Sequence, residues 1–172
     1  MIVKCVALVA VCFLGTALAK ADCHAPKDAG TGANPSQKFY YDTVWGTCLG
    51  LKYNGKGGNT NRFDTEEACM AECHGLGAFC AADKSWLRIE TNAKECGPKV
   101  CPKGYECRQF PAITCCNIET DKALLSAQDE KCPDGSTTKS NVYAESCKDL
   151  ICGGKDKCVQ INKHFAKCCG KK

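Results

Sequence analysis

Eighteen cysteines in 172 residues set the chemistry open to this chain. Cys5 and Cys12 fall in the first nineteen residues, and the other sixteen run from Cys23 to Cys169. Thiols at that density serve as disulfides or as metal ligands. Structural zinc needs reduced thiolates, usually joined by histidines at short spacing, and His24, His74 and His164 stand singly. Disulfides are therefore expected, with no metal site and no cofactor. No histidine has a partner serine at a catalytic motif spacing, and no cysteine is left over as a free thiolate. Gly55, Gly57 and Gly58 fit a loop turn rather than a phosphate cradle. Pro35 disqualifies Asn34-Pro35-Ser36 as a glycosylation acceptor. The pattern predicts no enzyme.

A secreted protein is expected from the other end of the argument. Lys4 supplies a charged start, Cys5 to Leu14 is apolar, and Ala17-Leu18-Ala19 offers a small-x-small cleavage site. Residues 1–19 thus read as a secretory signal, cut after Ala19 or, in a second frame, after Ala21. The apolar stretch falls short of the ~20 residues a spanning helix needs. An oxidising, extracellular setting then favours a disulfide framework. Without residues 1–19 the chain keeps 22 basic against 19 acidic residues, a net +3. That surplus is too small to point to nucleic acid or to an anionic membrane as a partner.

Cysteine spacing divides the chain into small units, each too small to fold on an apolar core alone. The fold class expected is small and disulfide-rich, with an α+β first domain over residues 20–76. Two small cysteine-rich modules follow, over 77–117 and 132–172, separated by a solvated linker over 118–131. In the first domain Lys38-Phe39-Tyr40-Tyr41 is strand-like, Asp42 marks a turn, and Trp45 to Leu49 begins a second strand. Asp64 to Cys73 reads as a helix, with Asp64 or Thr65 at its cap and Glu67 in capping-box register with Asp64. Cys69 and Cys73, four apart, share one face of it. The later modules are an internal repeat. Cys80, Cys96, Cys101, Cys107, Cys115 and Cys116 form one set, and Cys132, Cys147, Cys152, Cys158, Cys168 and Cys169 the other. Intervals of five and six residues recur in both, and each set ends in a vicinal pair. Three bridges within each set are expected, and the spacing does not choose among the connectivities. Lys163, Lys167, Lys171 and Lys172 read as a solvated basic end.

The leading cysteine, the aromatic hairpin and the two-cysteine helix resemble the Kunitz, or pancreatic trypsin inhibitor, family. Phe39-Tyr40-Tyr41-Asp42, Tyr53, Gly55, Asn61, Phe63 and Glu67 stand in its register. The resemblance implies the bridges Cys23–Cys73 and Cys48–Cys69. It also implies a third bridge whose cysteines would lie nine residues after Cys23 and eight after Cys48, where this chain has Gly32 and Lys56. In the family that bridge ties down the protease-contact loop, here Thr31, Gly32, Ala33, Asn34, Pro35 and Ser36. Ala33 takes the primary-specificity position, usually Lys or Arg in trypsin inhibitors.

An untied loop is expected to bind weakly, since ordering three residues costs ~3–6 kcal/mol and tight inhibitors avoid that cost by preorganisation. Pro35 restores part of the stiffness by fixing its own φ.

The later modules resemble the cysteine-rich repeat of lustrin-type matrix proteins, through Cys101 to Cys107, the vicinal pairs and Cys132-Pro133-Asp134-Gly135. A whey-acidic-protein domain would need further cysteines after each pair. Kunitz units joined to such repeats look like secreted nematode proteins of cuticle or extracellular matrix. The expected function is a matrix- or cuticle-associated Kunitz-type protein, docking a protease or acting structurally, with weak or no conventional inhibition. Its expected partners are a serine protease and extracellular-matrix proteins. The competing expectation is a serine protease inhibitor of elastase-like specificity acting through Ala33. A channel-directed toxin is the third idea, against which the two appended repeats argue.

Overall fold

The computed structural model describes residues 20–73, 80–81, 88–109, 112–138 and 142–170. The expected signal at 1–19, the connector around His74 and the terminal Lys171 and Lys172 lie outside the described residues.

The first unit is a hairpin and a helix. Strands β1 (Ser36–Asp42) and β2 (Thr47–Tyr53) pair antiparallel, from Ser36 opposite Tyr53 to Asp42 opposite Thr47. Asp42 makes the turn: its side chain accepts from the Val44 and Trp45 amides at 2.7 and 2.9 Å. Helix α1 (Glu66–Cys73) is capped by Thr65, whose hydroxyl accepts from the Ala68 amide at 3.1 Å. Glu66 and Glu67 in its first turn suit the positive end of the helix dipole. Cys69 and Cys73 bridge from this helix to Cys48 in β2 and to Cys23 near the chain start. Phe39, Cys48 and Cys69 are buried together, with Phe63 and Met70 packed on them.

The two later units share one architecture. In the first, β3 (Arg88–Glu90), β4 (Tyr105–Gln109) and β5 (Ile113–Asn117) form an antiparallel sheet with β5 central. In the second, β6 (Tyr143–Ala144), β7 (Lys157–Gln160) and β8 (Ala166–Cys169) repeat that order with β8 central. The vicinal cysteines sit in the central strands. Successive strand residues face opposite sides of a sheet, so each pair can bridge in two directions. Cys115 joins Cys101 while Cys116 joins Cys80; Cys168 joins Cys152 while Cys169 joins Cys132. Cys96–Cys107 and Cys147–Cys158 complete the sets. Both units therefore pair their cysteines first to sixth, second to fourth and third to fifth. With the two bridges of the first unit, eight disulfides engage all sixteen cysteines from Cys23 onward, a set that fits an extracellular protein.

The segment expected as a solvated linker is instead helix α2 (Ile118–Gln128). Asn117 caps it, its side chain accepting from the Glu119 and Thr120 amides at 3.0 and 3.1 Å. Leucines suggested a poor buried face, but the buried face is built from Thr120, Ala123 and Ala127, while Leu125 stays 61% exposed. Small side chains let the hairpin approach closely. Tyr40, Trp45, Leu49 and Leu51 of the first unit join Ala123, Ala127, Tyr143 and Phe165 in one core. The Trp45 ring packs on Phe165 with centroids 4.5 Å apart.

Ion pairs reinforce this contact: Lys27 reaches Glu145 at 2.6 Å and Asp149 at 3.2 Å. Arg108 of β4 meets the buried Asp121 of α2 at 2.6 Å, and the Asp121 side chain also accepts from the Ala81 amide at 2.8 Å. Thus α2 receives the first unit, the middle unit and the last.

Of the expected basic end, the two described lysines, Lys167 and Lys163, are both engaged. Lys167 is 1% exposed, and its ammonium donates to the carbonyls of Ser126, Asp129 and Lys131 where α2 ends. A helix end leaves carbonyls without intrahelical partners and carries partial negative charge, which an ammonium satisfies. Lys163 pairs with Glu119.

Candidate functional site

The segment Thr31–Ser36 lies beside the loop that leaves β2, at the end of the hairpin away from Trp45. Residues 31–35 are exposed, and Ser36 opens β1 opposite Tyr53. Ala33 presents its methyl group from the middle of this exposed stretch.

Although no disulfide crosses here, the two loops are joined. Thr31 and Lys56 exchange a pair of backbone hydrogen bonds, at 2.7 Å from the Thr31 amide and 2.8 Å from the Lys56 amide. Asn54 adds two more, from its amide to the Ala29 carbonyl at 2.8 Å and from its side chain to the Gly30 carbonyl at 3.1 Å. Backbones approach this closely because three glycines face the gap; at Gly30, φ +64°, a Cβ would stand 2.3 Å from the Lys56 carbonyl oxygen. Gly32 has φ +115°, and a Cβ there would stand 2.6 Å from the Asn54 carbonyl oxygen. Gly55 has φ +99°, and a Cβ there would stand 2.8 Å from the Asn34 carbonyl oxygen. Residues with a side chain rarely adopt these torsions.

The loop leaving β2 is braced in turn. Tyr53 donates its hydroxyl to the Gly57 carbonyl at 2.8 Å, and the Arg62 guanidinium lies 4.0 Å from the Tyr53 ring centroid. Behind the segment, the buried Asn61 donates to the Ala25 and Tyr41 carbonyls at 2.8 and 2.9 Å and accepts from the Tyr41 amide at 2.9 Å. That side chain fixes the strand after the contact segment against the chain before it.

The expectation of free torsions after loss of the bridge is corrected here: the segment is tied without sulfur. Asn54 and Gly30 share the tying with Thr31 and Lys56; the sequence placed Asn54 and Gly55 in a loop, with Gly55 also in the family register, and gave Gly30 no role. The Asn54-Gly55 pair was the available signal for a tight turn, but it does not say which backbone the turn meets.

The geometry is an exposed segment, hydrogen-bonded at Thr31 to the neighbouring loop, with the small side chain of Ala33 near its middle. Residues 22–74 match the model of the Kunitz/bovine pancreatic trypsin inhibitor domain. A longer match extends beyond that domain: the major allergen Ani s 1 of Anisakis simplex is 31% identical, over 87% of this chain and 87% of its own. The chain belongs to the Kunitz/bovine pancreatic trypsin inhibitor family. The Kunitz-type serine protease inhibitor LmKTT-1b of Lychas mucronatus is 41% identical over 36% of this chain and 76% of its own. Papilin of Caenorhabditis elegans is 29% identical over 74% of this chain, a stretch that makes up 6% of papilin. Within this Kunitz protein, Gly32 and Lys56 hold the positions of the absent bridge. The hydrogen-bonded Thr31–Lys56 pair includes one of those positions and the neighbour of the other.

Electrostatics near the segment are mild. Lys38, two residues beyond it, pairs with Asp64 and holds that carboxyl below its usual range. Among the described residues no group of His, Cys, Asp and Glu side chains is arranged to hold a metal ion.

Proposed function

We propose that this is a secreted, matrix- or cuticle-associated Kunitz-type protein that docks a serine protease through Thr31–Ser36, with weak, reversible inhibition. The observation that carries this reading is the backbone pair between Thr31 and Lys56. A segment held near its bound shape loses little entropy on association. Its hold, however, is four hydrogen bonds worth about 1 kcal/mol each, so an opened form stays within reach and a bound protease can process it.

Ala33 sets the choice of protease. Its methyl group suits a pocket that takes small side chains, and it offers nothing to the acidic pocket of a trypsin-like enzyme. The similarity to a Kunitz-type serine protease inhibitor supports protease binding, and the similarity to papilin supports a matrix setting.

Incubation of the oxidised protein with pancreatic elastase, chymotrypsin and trypsin tests this, following residual activity and peptide masses together. The expected result is elastase inhibition in the ~micromolar range, slow cleavage after Ala33, and no effect on trypsin. A stoichiometric, slowly reversible block of elastase would instead establish the second reading, a tight elastase-type inhibitor, which the ordered contact segment favours. Neither inhibition nor cleavage by any of the three would sink both.

A further inference from the structure

We infer that the last cysteine-rich unit forms part of the same protease-contact surface, with Ile151 meeting the enzyme on the side of the segment that follows Ala33. The inference rests on the docking function proposed above and names a second contact for that partner. Gln37, the residue after Ser36, is gripped by the last unit through both ends of its amide. Its Oε1 accepts from the Ile151 amide at 2.8 Å, and its Nε2 donates to the Asp149 carbonyl at 3.2 Å. Residues 149–151 therefore continue the contact segment without a break in the surface.

Size places this patch at the edge of a docked enzyme. A stable interface covers about 800 Å² on each partner, a patch roughly 16 Å in radius. From Ala33 to Gln37 the chain spans at most about 14 Å. The five exposed residues 31–35 do not fill such an area; the loop bonded to Thr31 through Lys56 extends it on one side, and Ile151, bonded to Gln37, extends it on the other.

Ile151 is 41% exposed and lines a cleft of about 430 Å³ with Val142, Leu150 and Gly153-Gly154 on its apolar side and Gln37, Lys155 and Asp156 on its polar side. A Cβ on Gly153 or Gly154 would meet open space. An apolar side chain from the rim of the protease cleft fits there. Leu125, an exposed leucine on α2, lies instead near Trp45 and Gly46 at the far end of the hairpin.

The test compares inhibition constants of the full oxidised chain for pancreatic elastase. Ala33→Asp reports on the primary contact, Ile151→Ser and Ile151→Ala on the second, and Leu125→Ser on exposed apolar surface elsewhere. Burial of the exposed part of Ile151 predicts a loss of about five-fold for Ile151→Ser, a smaller loss for Ile151→Ala, and no change for Leu125→Ser. The Gln37 grip uses the Ile151 backbone, so thermal stability should be unaffected. Binding that Ala33→Asp abolishes but both Ile151 variants retain in full would overturn the second contact and leave the docking function standing. Equal losses at Ile151 and Leu125 would overturn it too. An unmodified chain that does not bind elastase at all removes the docking function and the second contact together.

Discussion

Gly32→Ala probes the sulfur-free tether directly. The torsion at Gly32, φ +115°, costs a residue with a side chain about 1–3 kcal/mol. The added Cβ would also press on the Asn54 carbonyl oxygen from 2.6 Å, so the Asn54 peptide must move. That residue makes two of the four bonds joining the loops, and Lys56 beyond it makes the others. Four bonds at about 1 kcal/mol each hold the loops closed by roughly 4 kcal/mol. Strain of about 1–3 kcal/mol therefore removes much of the hold and raises the opened population roughly 5- to 150-fold. Hydrogen exchange reads this at the Thr31 and Lys56 amides, whose protection should fall by that factor. Where opening and closing are fast, cleavage after Ala33 should accelerate in parallel. Global unfolding relieves the same strain, so the unfolding midpoint should fall by the equivalent of about 1–3 kcal/mol at most, while both bridges of the unit and the Phe39 core stay in place. Thr31→Ala is the control: its tether bonds are backbone bonds, so protection should persist. Full protection and unchanged nicking in Gly32→Ala would refute the reasoning, as would unprotected Thr31 and Lys56 amides in the unmodified chain.

Three further outcomes follow from contacts between units. Gly50→Val would drive a side chain into Val142 and Leu150, whose atoms lie 3.0 and 3.2 Å from where a Cβ on Gly50 would stand; a cost of about 1–3 kcal/mol should lower the melting temperature and unprotect the Ile151 amide. Asp121→Asn keeps the acceptor for Ala81 but loses the charge facing Arg108; about 1–2 kcal/mol should be lost in urea unfolding, with faster exchange at Ala81. His164 packs edge-on to Trp45, 5.0 Å between centroids, with Lys163 and Glu119 beside it. Burial, then Lys163, lowers its pKa below 6.5, against an opposing pull from Glu119. The unfolded chain therefore binds more protons than the folded one as pH falls through 6.5. Stability should be lost on acidification below that point, and the loss should be smaller in His164→Gln in a melting series from about pH 7.5 to 5.5.

The parts of the fold with local signatures were legible in the sequence. A run of adjacent aromatics, Phe39-Tyr40-Tyr41, marked β1, a cap at Asp64 or Thr65 ahead of Glu66 and Glu67 marked α1, and recurrent cysteine intervals marked the two matching sheets. Residues that act across units gave no such signal. Ala123 and Ala127 bury the face of α2, yet two alanines read as an indifferent surface until Trp45 and Phe165 are known to lie against them. Lys167 looked like part of a solvated end because charge predicts exposure; the carbonyls that hold it belong to a helix some forty residues earlier. The tether at Thr31 was hidden for a different reason. Its donors and acceptors are backbone atoms, which every residue carries, and only the permissive glycines opposite them differ from any other loop.

Where the clamp is hydrogen-bonded, the stiffness of the contact segment depends on what holds its two ends. Thr31 is fixed at one end by Lys56, and Gln37 at the other by Asp149 and Ile151 of the last unit. Between them Pro35 fixes its own φ, which leaves few free torsions around Ala33. A covalent bridge would make that stiffness a property of the Kunitz domain alone. Here the β1–β2 ladder holds the backbone at the Gln37 end, and the Gln37 side chain adds a grip from a unit more than a hundred residues later, which is seated by Gly50, Trp45 and Lys27. The loop's behaviour toward a protease is thus coupled to how well the three units stay packed. A domain cut at residue 76 would keep the Thr31–Lys56 pair but lose the grip on Gln37, and its contact segment would be the looser for it.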